Sequence, residues 1–227
     1  MKAFQIAIEG SDGSGKGTQT DKLVWELEAF GYKVARVSFP RYTETCGGKL
    51  LFEVLKSDRA PSYDFVHVSP EAASLIYAAD RLESVPWLEK LAEENDVIIY
   101  DRAVASNLVH QGGKFKTDEE RREFLKFIDR TEYQSGFPRP DMTIFLSLPF
   151  EISMARAKKR AEQRGEKADV VEVDENYMRQ SHRSGLFYAL ECGWTIIDGV
   201  RGSKELSPEV VFDALLYQVQ KRLPKKG

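Results

Sequence analysis

Phe4-Gln5-Ile6-Ala7-Ile8 leads into Gly10-Ser11-Asp12-Gly13-Ser14-Gly15-Lys16, and a helical pattern carrying Leu23, Leu27 and Phe30 follows. The first run is apolar almost throughout, as a strand buried on both faces must be. The glycine-rich stretch fits the spacing G-x-x-x-x-G-K and lies between strand and helix, the context that gives this spacing its meaning. Its glycines let backbone N–H groups turn inward around phosphate oxygens. The helix beginning near Lys16 adds a partial positive charge, and Lys16 itself extends toward the outer phosphates of a bound nucleotide. An incidental glycine-rich turn is the alternative, but it does not explain why strand, lysine and helix fall together.

Working outward, four more apolar runs follow. They are Lys33-Val34-Ala35-Arg36-Val37-Ser38-Phe39, Val97-Ile98-Ile99-Tyr100, Met142-Thr143-Ile144-Phe145-Leu146 and Trp194-Thr195-Ile196-Ile197. Gly31 offers a C-cap to the first helix. Thr117-Asp118-Glu119-Glu120 reads as a capping box opening a helix with Phe124, Leu125 and Ile128 on one face. Strands separated by helices imply right-handed crossovers and a parallel sheet covered on both sides. The expected fold is therefore α/β, a doubly wound five-stranded parallel sheet, in one domain over 1–227. No internal repeat, low-complexity tract or linker interrupts it. The Lys-rich end, Lys221 to Lys226, reads as a fraying helix terminus rather than a nucleic-acid tail.

The 227 residues are 42% hydrophobic and 30% charged, enough for one domain with a full core. A net charge of −3 argues against a nucleic-acid binder, so any anion site has to be a local cluster of Lys and Arg. Cys46 and Cys192 fit neither a metal spacing nor a disulfide framework and read as free thiols in a reducing cytosol. No apolar stretch suits a bilayer, and the N-terminus runs straight into a strand, which leaves no room for a signal peptide. A cytoplasmic chain with no membrane partner is expected.

The loop has one departure. Most loops of this kind carry Ser or Thr after the lysine as a Mg²⁺ ligand, whereas Gly17 and then Thr18 stand here. Gly15-Lys16-Gly17-Thr18-Gln19 is similar to the adenylate kinase version. That likeness implies a Mg²⁺ held mainly by ATP phosphates and water, with Thr18 touching phosphate. A GTPase would need a guanine-reading N-K-x-D, which is missing.

The third strand continues as Asp101-Arg102-Ala103-Val104-Ala105-Ser106-Asn107-Leu108-Val109-His110-Gln111-Gly112. Together with Phe39-Pro40, Tyr77-Ala78-Ala79-Asp80-Arg81, Arg139-Pro140-Asp141 through Leu148-Pro149, and Arg156, it resembles the thymidylate kinase family of P-loop nucleoside monophosphate kinases over essentially the whole chain. The resemblance implies ATP with Mg²⁺ as donor, dTMP as acceptor, a mobile lid, and a homodimer packed through helices. It implies that Gly10 to Thr18 and Arg156 contact ATP. Tyr77 would stack on thymine and Arg81 would bond a base carbonyl. Their i, i+4 spacing lets both reach one base, although a core aromatic with a surface salt bridge is the plainer reading of the same spacing. Asp101 matches a carboxylate near the metal, acting through water. Arg102 matches an arginine between donor and acceptor phosphates. Phe39, Pro40, Ser106, Asn107 and Gln111 match the acceptor's surroundings, and Asp12 matches an acid at the sugar 3′-hydroxyl.

Three positions depart from the family. Ala103 replaces a usual Tyr or His, and His110 stands where a Tyr helps exclude a ribose 2′-hydroxyl. His110 then contacts the ligand or is satisfied by a backbone carbonyl. Arg41, directly after Pro40, takes the phosphate-binding role from a shifted register, with Tyr42 in the usual place.

The acceptor-binding segment is expected over 40–68 and the lid over 157–175. The lid region is basic, offers Gly165 as a hinge, and ends in the acidic Glu172-Val173-Asp174-Glu175. The glycine loop contains no arginine, so the transition-state arginine is expected from the lid, as Arg160 or Arg164, with Arg160 slightly preferred. A phosphate monoester has its second pKa near ~6, so the acceptor oxygen is already largely ionised and no general base is required. Lys16, Arg102, the lid arginine and Mg²⁺ would neutralise the transferring group. Two other functions remain open at this level. One is a kinase for a different nucleotide or a deoxynucleoside. The other is a non-catalytic switch, which has no use for Lys16, Arg102 and a basic lid.

Overall fold

Each of the apolar runs forms a strand where the periodicity places it. The computed structural model describes residues 3–164 and 174–225, the side chains of 160–164 excepted. The strands are β1 (Phe4–Gly10), β2 (Val34–Ser38), β3 (Val97–Asp101), β4 (Met142–Ser147) and β5 (Thr195–Asp198). They form one sheet in the order β2-β3-β1-β4-β5, every neighbouring pair parallel. β1 is central. Its register sets Ile8 beside Asp101 of β3 and Gly10 beside Leu146 of β4. The glycine loop therefore leaves the carboxyl edge of the sheet next to Asp101, where open α/β sheets bind ligands.

Both faces of the sheet are buried, which is why the strands read as continuous apolar runs. Ile6, Ile8, Ile99 and Ile144 pack on one face with Leu23 and Leu27 of α1 (Lys16–Ala29), joined by Leu215 and Val219 near the C-terminus. Ala7 and Tyr100 face the other way, against Val104, Leu108, Phe124, Ile128 and Tyr188. A third cluster, Leu51, Val54, Leu55, Phe65 and Ala73, roofs the 40–68 segment. It joins α2 (Cys46–Leu55) to α3 (Pro70–Glu83), which α4 (Val85–Glu94) follows.

Short α5 (Ala105–His110) follows β3 directly. The capping box forms at the start of α6 (Asp118–Ile128): the Thr117 side chain accepts from Glu120 N–H, and Glu120 reaches back to the Thr117 backbone. The chain then widens into a π-type turn over Asp129–Tyr133, which points Glu132 inward. α7 (Phe150–Arg164) follows β4, and α8 (Glu175–Glu191) precedes β5. A small antiparallel pair that the sequence reading did not foresee, β6 (Val200–Arg201) and β7 (Lys204–Glu205), leads into α9 (Pro208–Arg222).

Candidate active site

The loop folds as its glycines require. Gly13 and Gly15 have φ of +83° and +93°, a region where a side chain is strained. Gly13 also lies so close to α7 that a Cβ there would sit 1.9 Å from the Ser153 carbonyl oxygen. Lys16 curls over the loop, its Nζ donating to the carbonyls of Gly10 (2.7 Å) and Ser11 (2.8 Å), with Asp12 Oδ1 at 3.7 Å. The hydroxyls of Ser11 and Ser14 are buried with no hydrogen-bond partner. Such orphaned hydroxyls at the N-terminus of α1 suit the oxygens of a polyphosphate.

Gly17 lies beside the carboxylate of Asp101. A Cβ at this position would come 3.7 Å from Asp101 Oδ2, an ordinary contact, which puts that carboxylate next to the start of α1. Asp101 is held from behind by Arg36, whose Nη2 donates to the same oxygen at 2.8 Å.

Arg102 follows at the end of β3 with φ +70°. Its guanidinium makes an ion pair with Asp12 and donates to His110 Nε2 at 2.8 Å. Burial and the Arg102 charge push the His110 imidazole down to about 3, so it is neutral at working pH and accepts that bond. Burial alone would raise the Asp12 carboxyl, but Arg102 and Lys16 outweigh it and hold the group well below the usual carboxylate range. Burial, then the neighbouring Arg102, lowers Lys16 to about 8 against the pull of Asp12 and Asp101.

Beside this charged cluster opens a cavity of about 330 Å³. Asp12, Phe39, Pro40, Tyr77, Arg81, Arg102, Ser106, Asn107 and His110 all line it. The Phe39–Pro40 peptide bond is cis. A smaller cavity of about 90 Å³ lies on the other side of the loop, walled by Ser14, Gly15, Thr18 and Arg156, the last paired with Glu205 of β7.

Two assignments need correction. Arg41 does not line the acceptor cavity: its guanidinium stacks 3.8 Å over Trp87 and donates to Ser84 Oγ at 3.0 Å. Its own backbone N–H is held by Asp80 at 3.0 Å, which turns the side chain toward that aromatic face. Gln111 is 1% exposed and stands behind the wall, donating to the Tyr177 hydroxyl at 3.2 Å. It is Tyr177 that reaches the cavity, its ring stacked beside His110 at 6.5 Å between centroids. The side chains of Arg160 and Arg164, at the end of α7, lie outside the described residues, as do Gly165, Glu172 and Val173.

The plainer reading, a core aromatic with a surface salt bridge, does not hold: Tyr77 is half-buried on the cavity wall and the ion pair of Arg81 is buried. The Arg81 guanidinium is 2% exposed and grips Glu132 with two bonds, at 2.5 and 2.8 Å, while still edging the cavity beside Tyr77. Asn107 donates to the same carboxylate at 2.8 Å. Glu132, Tyr177 and Glu9 were all missed in the sequence. Glu9 alone carried a signal there, as a charge breaking an apolar strand just before the loop. Its buried carboxylate accepts from Ala103 N–H at 2.8 Å and from Ser106 Oγ at 2.5 Å.

A five-stranded parallel sheet of this order, with a phosphate loop after its central strand and a base-sized cavity across one arginine, defines a P-loop nucleoside monophosphate kinase. The profile of the family described as thymidylate kinase matches residues 8–209. Thymidylate kinase of Mycobacterium tuberculosis (strain CDC 1551 / Oshkosh) is 30% identical over 188 residues, 81% of this chain and 83% of that one. A probable thymidylate kinase of Thermococcus gammatolerans is 36% identical over 158 residues, covering 69% of this chain and 71% of its own. The solved structure of thymidylate kinase from Candida albicans superposes with a TM-score of 0.70 at 25% identity, over 97% of this chain and 92% of that chain. The chain belongs to the thymidylate kinase family.

Proposed function

We propose that this enzyme transfers the γ-phosphoryl group of ATP to dTMP, giving ADP and dTDP. The observation that carries the reading is Asp12, which touches Lys16 of the donor loop and Arg102 of the acceptor cavity at once. A continuous line of charge thus joins the two sites. ATP occupies the loop, with Lys16 and the Ser11 and Ser14 hydroxyls on its phosphates and Thr18 and Arg156 beyond. The base of dTMP stacks on Tyr77 with Arg81 at its edge, and the sugar lies toward Asp12 and His110.

The acceptor phosphate, already largely ionised above pH ~6, attacks in line without a base. What remains is the repulsion between two anions. Lys16 and Arg102 offset it by neutralising charge on the transferring group. A lid arginine, Arg160 or Arg164, completes the set.

The residues present suit a magnesium ion held chiefly by phosphates and water. Among the described residues no cluster of three or more acidic, His or Cys side chains could cage a metal, but Asp101 faces the loop across Gly17. When bound, the ion supplies further charge neutralisation at the donor phosphates, with Asp101 holding its water.

Leu50 and Phe52 of α2 and Leu75 of α3 are exposed, which supports a homodimer packed through these helices. No helix among the described residues is long and apolar enough to cross a membrane, and we place the enzyme in the cytoplasm. A coupled assay of ADP release with dTMP, dUMP, UMP, AMP, CMP and thymidine tests the substrate. The highest kcat/KM is expected with dTMP. Preference for AMP or thymidine would refute the assignment, and no turnover with any acceptor would favour a switch.

A further inference from the structure

Arg102 is held in a conformation that its own residue type disfavours, and what holds it is visible in the sheet. β3 pairs with β1 as far as Asp101 beside Ile8, and Arg102 N–H still reaches the Ile8 carbonyl at 3.3 Å. There the pairing with β3 ends, while β1 runs on beside β4, Glu9 next to Phe145 and Gly10 next to Leu146. The next donor on the departing strand, Ala103 N–H, would be left buried without an acceptor. The Glu9 side chain takes it at 2.8 Å, so a carboxylate oxygen continues the ladder that the backbone has abandoned. Its second oxygen accepts from Ser106 Oγ at 2.5 Å, on the first turn of α5, the helix that also carries His110. Arg102 is thereby framed on both sides, by a fixed peptide after it and by a fixed helix that presents its hydrogen-bond partner.

We propose that Glu9 is a positioning residue for phosphoryl transfer, holding the Asp101–Ala103 turn in the left-handed conformation that aims the Arg102 guanidinium at Asp12 and the acceptor cavity. A carboxylate merely filling space here would be a poor choice, since it is fully buried and burial raises its pKa despite the bonds from Ser106 and Ala103. Its retention makes sense where two donors must be satisfied at once beside the positive charges of Arg102 and Lys16. The inference rests on the role proposed for Arg102, and a double-mutant cycle separates the two.

The measurement is kcat, with KM for ATP and for dTMP, of Glu9→Ala and Glu9→Gln in the wild-type and Arg102→Ala backgrounds. Glu9→Ala is expected to lower kcat about 100-fold, the effect of a misplaced catalytic group, with KM for ATP changed by less than about threefold. Glu9→Gln keeps an oxygen for Ala103 and offers its amide N–H to Ser106 Oγ, so it stays within about fivefold of wild type. With Arg102 already gone, Glu9→Ala should cost less than about threefold more. An equal loss in both backgrounds, or a Gln variant as impaired as Ala, overturns the inference. Wild-type turnover by Arg102→Ala alone would instead contradict the role of Arg102. Should Glu9→Ala fail to fold, Glu9→Asp takes its place: it is one methylene too short to reach Ala103, and equal activity of the Asp and Gln variants likewise overturns the inference.

Discussion

Arg81 and Glu132 stand 51 positions apart in the chain and form a doubly bonded, fully buried ion pair beside the base-binding wall. Burying two charges is unfavourable in itself, and breaking such a pair leaves the survivor uncompensated at a cost of about 3–5 kcal/mol. Glu132 also fixes Asn107, so one carboxylate orients two residues of the acceptor cavity. Glu132→Ala is therefore expected to lower the unfolding free energy by about that amount, read as a lower urea midpoint, and to raise KM for dTMP more than KM for ATP. An unchanged midpoint would show that the pair contributes nothing net. This arrangement was not legible in the sequence. Tyr77 and Arg81 announce themselves by their spacing, but their partner arrives from a distant turn with no local pattern. Arg41 misled for a related reason: its proximity to Pro40 said nothing of Trp87, whose ring draws the guanidinium out of the cavity.

At the scale of elements, the five strands and the capping box were legible because each depends on a short, local pattern of apolar or capping residues. β6 and β7 were not, because two exposed strands of two residues each need no apolar pattern. The loop and α7 also form a pair that no spacing reveals. Gly13 is required twice, by its positive φ and by the Ser153 carbonyl that a Cβ would strike. Gly202, in the turn between β6 and β7, has φ +61° but open space around it. Gly13→Ala is expected to cost about 1–3 kcal/mol and to raise KM for ATP, because the loop must move away from α7. Gly202→Ala should cost only about 1 kcal/mol of backbone strain and leave both KM values unchanged. Thermal melts and initial rates on the two variants decide the matter, and equal effects would mean that close packing of the loop is unimportant.

Across the whole molecule, a chain of net charge −3 gathers Lys16 and Arg102 at one edge of its sheet and separates them with the ionised Asp12. The sheet order places loop and arginine side by side on neighbouring central strands, and the helices above them close the acceptor cavity. The strand pattern and the glycine loop announced the parallel sheet and its phosphate loop, but not the strand order. Nor did they announce the precise aim of Arg102, because it depends on where two strands part company. The central claim is that this edge carries phosphate from ATP to dTMP by neutralising charge. The most direct test follows radioactive phosphorus from the γ position of ATP, comparing the wild-type enzyme with Lys16→Ala. In the wild type the label should be recovered in dTDP, one equivalent for each ADP formed. Lys16→Ala should retain its circular dichroism spectrum and melting temperature while transfer falls by about 10²–10³-fold. Label released as inorganic phosphate by the wild type, or near-normal transfer by Lys16→Ala, would contradict the claim.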